Sequence, residues 1–550
     1  MSHDLAESRL RSFLGGIGLG TSLLCDYAPT GVDPFSPANP LIFTSAPLVG
    51  TGLTTTAKFG VVTKSPLTGF IGDSLSSSHF ALELKRAALD AVVITGQAAS
   101  MIYLLIHDDK VEIHAAEHLR GKSPRETEVV IQTELNSATT RVAAIGTAGE
   151  NRVRFATISN EGRHAGRGGV GAVMGSKNLK AIALCGERDS SVFDSAGVNV
   201  IASLLRRRSL SSLTDKYRNI GTVANLAVFN RLGVLPAHNF QQSTFEDSDA
   251  LSGESLSETT FARRHGCASC SIRCERLFKS LNGEEQRLEY ETLFALGPLC
   301  GIKDPNTVLE AAHLCDLYGM DTISTGGTLA WAMECGEKGL LPEAEKLGLC
   351  FGRPEGILNA IPAIATRTGL GALLAEGSKR AALELGGDSS DWAMHALAGN
   401  EKLRGEIAGG SWVGHGQHLA AQIRDLLDSW NHHDLRGELM DHTRGNRNIS
   451  PAQPHLYQRR TGGKVNLDVT AEQSRPARRT RQIDRFHLQA MLLEQFGLSA
   501  HPEREYRSGQ RSVTGEDAQS LLGLGKCPPE NDDNQQDEFF SQATAVGSHF

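Results

Sequence analysis

The sequence predicts an α+β protein: a β-sheet amino-terminal domain over residues 1–190, a mostly helical domain over 191–395, and a poorly structured carboxy-terminal region over 396–550. Three observations carry this expectation. Short β-rich runs divided by glycine turns crowd the first third of the chain. Apolar residues at three- and four-residue steps take over after Asp304-Pro305. Near residue 395 the composition changes abruptly: thirteen glutamines fall in the last 155 residues against five in the first 395, with nine of the 19 histidines.

At 550 residues, 40% hydrophobic and 21% charged, the chain is long enough for several domains and is composed like a folded globular protein. Its formal charge of −8 argues against a nucleic-acid partner, which asks for a broad basic face. The start lacks a basic segment followed by an apolar one, and no run of about 18 apolar residues occurs, so the expectation is a cytoplasmic protein with no membrane partner. Ten cysteines are too few for a disulfide framework, and clustered thiols in a reducing compartment point to metal or redox chemistry.

In chain order, AVVITG from Ala91 and SMIYLLIHDDKVEIHAA from Ser100 read as β-rich runs with a hairpin turn at Asp108-Asp109. RVAAIG, VRFATIS and LKAIALCG follow as further short strands. NTVLEAAHLCDLYG reads as a helix that starts behind Asp304-Pro305 and stops at Gly319, and GILNAIPAIATRTGLGALLAEGSKRAALELGG continues in helical style. After residue 395, stretches such as CPPENDDNQQDEFF sustain neither period.

Cys267-Ala-Ser-Cys270-Ser-Ile-Arg-Cys274 places three thiols within eight residues, which suits a loop wrapped around one metal centre. Zinc and an iron–sulfur cluster both fit that spacing, the cluster needing a fourth ligand from elsewhere. Gly166-Arg167-Gly168-Gly169-Val170-Gly171 matches G-x-G-x-x-G, but the preceding strand-like run ends near Ser159 and about eight residues separate Gly171 from the next strand. That is too little for the crossover helix of a dinucleotide fold. A glycine loop that cradles a phosphate, or a plain tight turn, remains. Glu291, 17 residues beyond the last of these cysteines, offers a carboxylate beside whatever they hold, or a solvated helix start. Asp316 and Asp321 flank Gly319, as acceptors for a polar heterocycle or as an ordinary helix end. Glu310 and His313 share a helix face, as a metal pair or a surface contact.

These segments together resemble the aldehyde ferredoxin oxidoreductase family, the tungsten-pterin enzymes. The carrying stretches are PLVGTG (47–52), VVTKSPLTGFIGDS (61–74), AGRGGVGAVMGSKNLKAIAL (165–184), CASCSIRC (267–274), EYETLFALGP (289–298), CDLYGMDTISTGG (315–327) and LLAEGSKRAALELGGD (373–388), in the family's order. The resemblance implies a β-sheet base for two pterin dithiolenes holding one tungsten or molybdenum, with magnesium at the pterin phosphates. It implies that Gly166, Arg167, Gly168 and Gly169 contact pterin or its phosphate and that Asp316 and Asp321 accept hydrogen bonds from a pterin ring. Cys267, Cys270 and Cys274 would bind a [4Fe-4S] cluster, Glu291 would be the active-site carboxylate, and Glu310 and His313 would bind a metal at a homodimer interface. The implied reaction oxidises an aldehyde to a carboxylic acid with ferredoxin as electron acceptor.

The sequence also departs from the family. Lys58 stands at the place of a pterin-contacting arginine and lacks its planar fork. Ser77-Ser78 replace a glycine pair. The family's later D-x-x-G-L-C motif, with the fourth cluster cysteine, has no counterpart: no cysteine lies between Cys350 and Cys527. The match ends after Met394-His395, which motivates the expectation that residues from about 396 are read in a shifted frame. The alternatives are an inactive remnant of the family and a zinc-binding structural protein.

Overall fold

The β-rich runs of the first 190 residues build two sheets, and the reason lies in which faces they bury. The computed structural model describes residues 4–108, 110–188 and 192–395, with the backbone of 506–508 and 511–513. Strands Leu41–Thr44 (β1), Lys58–Lys64 (β2), Ile71–Ser77 (β3) and Ala91–Ile94 (β4) form an antiparallel sheet in the order β3-β2-β1-β4. Strands Ile102–His107 (β5), Lys110–Ala115 (β6), Arg141–Ala144 (β7), Ile158–Asn160 (β8), Arg163–Ala165 (β9) and Leu179–Cys185 (β10) form a second sheet, β6-β5-β10-β7-β8-β9.

The expected hairpin forms between β5 and β6, with Asp108 at φ 53° in its turn. Ala91–Ile94 instead joins the other sheet, opposite β1. Of VRFATIS only Ile158 and Ser159 lie in a strand, because Phe155 turns away to fill the core of the helical half.

Phe43, Phe59, Phe80, Val173 and Ile182 share one core between the sheets, with the Phe59 and Phe80 rings 4.8 Å apart. The helix Gly16–Tyr27 covers the outer face of the first sheet through Leu19, Leu23, Ile42 and Val62. The helix Pro124–Glu134 covers the second through Ile131, Val142 and Ala183. A central strand covered on both faces needs an almost continuous apolar run, and β2 is buried from Phe59 to Thr63.

In the second half the expected helix runs from Pro305 to Tyr318. Asp304 caps its start by accepting from the Asn306 and Thr307 amides, and Gly319 ends it at φ 73°. The next helix, Thr322–Glu337, is buried on every side from Ile323 to Gly336, including Trp331, whose indole donates to the Ser389 carbonyl at 2.9 Å. Gly326 lets it lie on the helix Tyr290–Leu296, since a Cβ there would come within 2.2 Å of the Ala295 carbonyl.

The region is not helical throughout. Phe261–His265 (β11), Glu275–Lys279 (β12) and Glu285–Leu288 (β13) make a small antiparallel sheet whose first connection carries the three clustered cysteines. The chain divides into two units, one of residues 1–193 and 202–425, the other of 194–201 and 426–550. The described parts of the second are the start of the helix Ser195–Arg208 and the antiparallel backbone pair Tyr506–Ser508 and Arg511–Val513. The expectations of a shifted frame and of a poorly structured end fall outside the described residues, that short pair apart.

Candidate functional site

The glycine-rich loop leaves β9 and enters the short helix Val170–Ser176. A strand therefore precedes the loop directly, where the sequence had suggested an end near Ser159. The arrangement is still no βαβ unit: β9 and β10 are antiparallel and separated by β7 and β8. Gly169 is left-handed at φ 71°, and a Cβ on it would meet the Arg154 carbonyl at 2.0 Å, so this turn accepts no side chain. Ser65 Oγ donates to the Gly168 carbonyl at 2.7 Å, and the Arg167 amide donates to Ser74 Oγ at 3.0 Å.

This anchoring turns the Arg167 side chain inward, where its Nη1 donates to the Asp321 carboxylate. Its Nε and Nη2 are buried with no partner. Buried guanidinium donors without acceptors are costly, and such a pair is the mark of a site made for an acceptor-rich, anionic ligand.

Asp321 is more than a helix-end acid. It caps the helix Thr322–Glu337, accepting from the Ile323 amide at 3.3 Å and the Ser324 amide at 3.1 Å. Asp316, in the last turn of the preceding helix, accepts from Gln286 Nε2 at 2.7 Å and lies 3.1 Å from His164 Nε2, an ion-pair distance with the ring turned off the ideal hydrogen-bond line. Burial pushes the Asp316 carboxyl up, but His164, Arg287 and Gln286 outweigh it and hold the group below the usual carboxylate range. The segment between the two acids is pinned to the amino-terminal half: the Asp321 amide donates to the Phe155 carbonyl at 3.0 Å and the Thr157 amide to the Gly319 carbonyl at 2.9 Å.

The cysteine loop spans residues 266–274, between β11 and β12. Ser269 and Arg273, at φ 58° and 51°, turn it sharply, and the Ser271 hydroxyl lies 2.7 Å from that of Thr54 and 2.6 Å from that of Ser209. At its base, buried Glu275 pairs with Arg163, and its Oε2 lies 2.6 Å from His265 Nδ1, which ties the loop to the strand that feeds the glycine turn. All three thiols are half-buried. Burial, then Glu289, Cys267 and Cys270 push the Cys274 thiol up to about 12, so the three sulfurs lie in one another's field. Among the described residues no three His, Cys, Asp or Glu side chains close around a single metal ion.

Between the two loops sits Arg287. Burial works against its charge, but Glu289, Asp316, Glu275 and Cys267 overcome it and hold the guanidinium more firmly protonated. Glu291 lies exposed in the first turn of its helix, and its neighbour Thr292 places its hydroxyl 3.0 Å from that of Thr322, the residue after Asp321. Lys58 is exposed at the start of β2, opposite Ser77. Glu310 and His313 are half-buried on the Pro305–Tyr318 helix, six and three residues before Asp316. The structure thus brings together Gly166, Arg167 and Asp321, with Asp316 on the same segment, and shows Glu291 only through its neighbour Thr292. It adds His164, Gln286 and Arg287, which sequence reasoning missed, although His164 stands immediately before the AGRGG stretch.

The family model for the amino-terminal domain of aldehyde ferredoxin oxidoreductase matches residues 2–186, and the one for its domains 2 and 3 matches residues 200–401. The chain belongs to the aldehyde ferredoxin oxidoreductase family. It is 42% identical over 395 residues to a tungsten-containing aldehyde ferredoxin oxidoreductase of Pyrococcus furiosus, covering 69% of this chain and 64% of that relative. It is 32% identical over 441 residues to a WOR-like subunit of an aliphatic sulfonate oxidoreductase of the same organism, covering 74% and 69%. Among solved structures, the active-site complex BamBC of benzoyl coenzyme A reductase matches with a TM-score of 0.64 at 31% identity, over 71% of this chain and 62% of that one. The chain thus spans 64% of the length of the aldehyde ferredoxin oxidoreductase it matches. The glycine loop falls in the segment matched by the amino-terminal model and the cysteine loop in the segment matched by the model for domains 2 and 3. No helix among the described residues is long and apolar enough to cross a membrane.

Proposed function

We propose that this chain oxidises an aldehyde to a carboxylic acid at a tungsten or molybdenum bis-pterin centre and passes the electrons through a [4Fe-4S] cluster to ferredoxin. The observation that carries the reading is the pair of buried, unpartnered Arg167 donors beside the Gly168-Gly169 turn. A pterin phosphate or ring carbonyl is an acceptor of the kind they lack. Cys267, Cys270 and Cys274, half-buried on one loop, would supply three of the cluster's four ligands, and the fourth would come from outside that loop, since Cys300, Cys315 and Cys335 lie in the core.

Gly166, Arg167, Gly168, Gly169 and Lys58 would hold one face of the pterin and its phosphate, with magnesium there as a second counter-charge. Asp316 and Asp321 would take its ring N–H groups on lone pairs that His164, Gln286, Arg167 and the capping amides leave open. The metal supplies a two-electron acceptor when bound and the cluster a one-electron relay.

The balance is one aldehyde and one water giving one acid, two protons and two electrons. A base must therefore take a proton from the water as it adds to the carbonyl carbon. Glu291 is suited to be that base as an exposed carboxylate in the first turn of its helix. Glu310 and His313 would serve a metal where two copies of the chain meet.

Aldehyde-dependent reduction of benzyl viologen tests the reading. The wild-type chain is expected to turn over, and Glu291→Gln to lose about 10²- to 10⁴-fold in kcat at unchanged metal content, the usual worth of a positioned base. Full kcat in Glu291→Gln would remove that residue from the mechanism. A metal-loaded wild-type chain without turnover on any aldehyde would remove the activity.

A further inference from the structure

The cysteine loop is ringed by positive charge in a chain that is negative overall. Residues 261–279 hold five basic side chains, Arg263, Arg264, Arg273, Arg276 and Lys279, against the single acid Glu275, while the whole chain carries −8. Glu275 is buried and already committed to Arg163 and His265. Arg264 spends its donors on the loop's own backbone, Nε to the Arg273 carbonyl at 3.2 Å and Nη2 to the Ile272 carbonyl at 3.1 Å, so its charge sits on the loop uncancelled. Arg273 is exposed within the loop.

A second element extends the ring. The contact between the hydroxyls of Ser209 and Ser271 brings the end of the helix Ser195–Arg208 against the loop, and with it exposed Arg206 and Arg207. None of Arg206, Arg207, Arg264 and Arg273 has a carboxylate partner among the described residues. The nearby cations that do have one are Arg263, with Glu285 at 2.6 Å, and Arg218, with Asp215. Arg264 braces the loop's backbone, but four guanidinium groups without a carboxylate partner around three half-buried thiols repel one another.

We infer that this arginine-ringed cysteine loop is a docking surface for a small acidic protein that carries a one-electron centre. The inference rests on the function proposed above and locates where that chain hands its electrons on. Clustered like charge steers an oppositely charged partner into place and gives association a strong dependence on salt. It also sets the partner against the loop that carries the three half-buried cysteines. The net charge of −8 makes the choice of face selective, because an acidic protein is repelled from the rest of the surface.

The test is the affinity of the full chain for an acidic bacterial-type [4Fe-4S] ferredoxin, measured by biolayer interferometry at 50 and 300 mM salt. The expected result is binding that weakens with salt, a tenfold or greater loss of affinity in the double variant Arg206→Glu/Arg207→Glu, and a flatter salt dependence in that variant. Lys110→Glu/Lys346→Glu, which changes the net charge equally at exposed positions away from the loop, is expected to stay within twofold of wild type. An arginine reversal within twofold of wild type would overturn the inference, as would equal losses in both double variants. Binding is read without turnover, so a chain that binds ferredoxin at this surface yet contains neither tungsten nor molybdenum would defeat the proposed function and leave the docking surface standing.

Discussion

The two loops of the candidate site are prepared in opposite ways. Around Asp316 and Asp321 folding itself supplies partners: amides, Gln286, His164 and Arg167 meet all four carboxylate oxygens. Around Cys267, Cys270 and Cys274 it supplies a curved, anchored backbone but leaves Cys274 pushed up to about 12, a neutral thiol at physiological pH. The carboxylates of one loop are therefore met by folding alone, with two Arg167 donors left open beside them, whereas the other loop acquires its negative charge only when metal displaces protons. The first needs its protein partners to stand, and the second needs its metal.

The largest effect should come from breaking the cradle. Asp321→Ala strands the buried Arg167 guanidinium and uncaps a fully buried helix, a loss of about 3–5 kcal/mol for the unpaired charge with about 1 kcal/mol more for the cap. Urea unfolding reads this directly. Asp321→Asn keeps one acceptor oxygen for the capping amides or Arg167 and should lose clearly less, and equal losses in both variants would show that this acceptor contributes nothing and that the carboxylate charge carries the whole effect.

The cysteine loop should answer to metal instead. Cys274→Ser is expected to lower bound iron to near zero while leaving the unfolding of metal-free protein within about 1 kcal/mol of wild type, as for a change away from the main core. Iron analysis and a urea titration on the same preparation check both halves. Retained iron in the variant would show that Cys274 is no ligand.

Acidity separates the loops with opposite signs. The raised Cys274 thiol keeps its proton while an unfolded one loses it, so stability of the metal-free chain should fall as pH rises from about 8.5 towards the folded value. The depressed Asp316 carboxyl contributes stability that is fully present at neutral pH and is lost as pH falls below about 4. Thermal melts across pH 3–10 test both limbs, and a flat alkaline limb would contradict the neutral-thiol account. The smallest effect belongs to His164→Leu, which removes one of the partners that hold Asp316 ionised. Its acid limb should move upward in pH, whereas His164→Asn, which retains a donor, should move less.

What was legible in the sequence follows the same division between local and distant causes. The Pro305–Tyr318 helix could be read residue by residue because Asp304, Pro305 and Gly319 are local stop and start signals. The small sheet at 261–288 could not. FARRH, ERLFK and EQRL show weak alternation and no β-branched residue, and one of them is held in place by Glu275 with distant Arg163. Asp321 was visible as an acid near Gly319 but not as a cap, though Asp followed by Thr-Ile-Ser is an N-cap pattern open to reading. The partnership of His164 with Asp316 joins residues 152 positions apart and left no local trace beyond a histidine beside a glycine loop.

The central claim is that the Arg167 cradle holds a metal pterin beside an iron–sulfur cluster. Elemental and pterin analysis of the full chain, purified without oxygen alongside Arg167→Ala, tests it most directly. The account predicts tungsten or molybdenum, pterin and about four irons per wild-type chain, with the pterin and its metal lost from Arg167→Ala while iron remains. A wild-type chain carrying one zinc and neither pterin nor iron would contradict it.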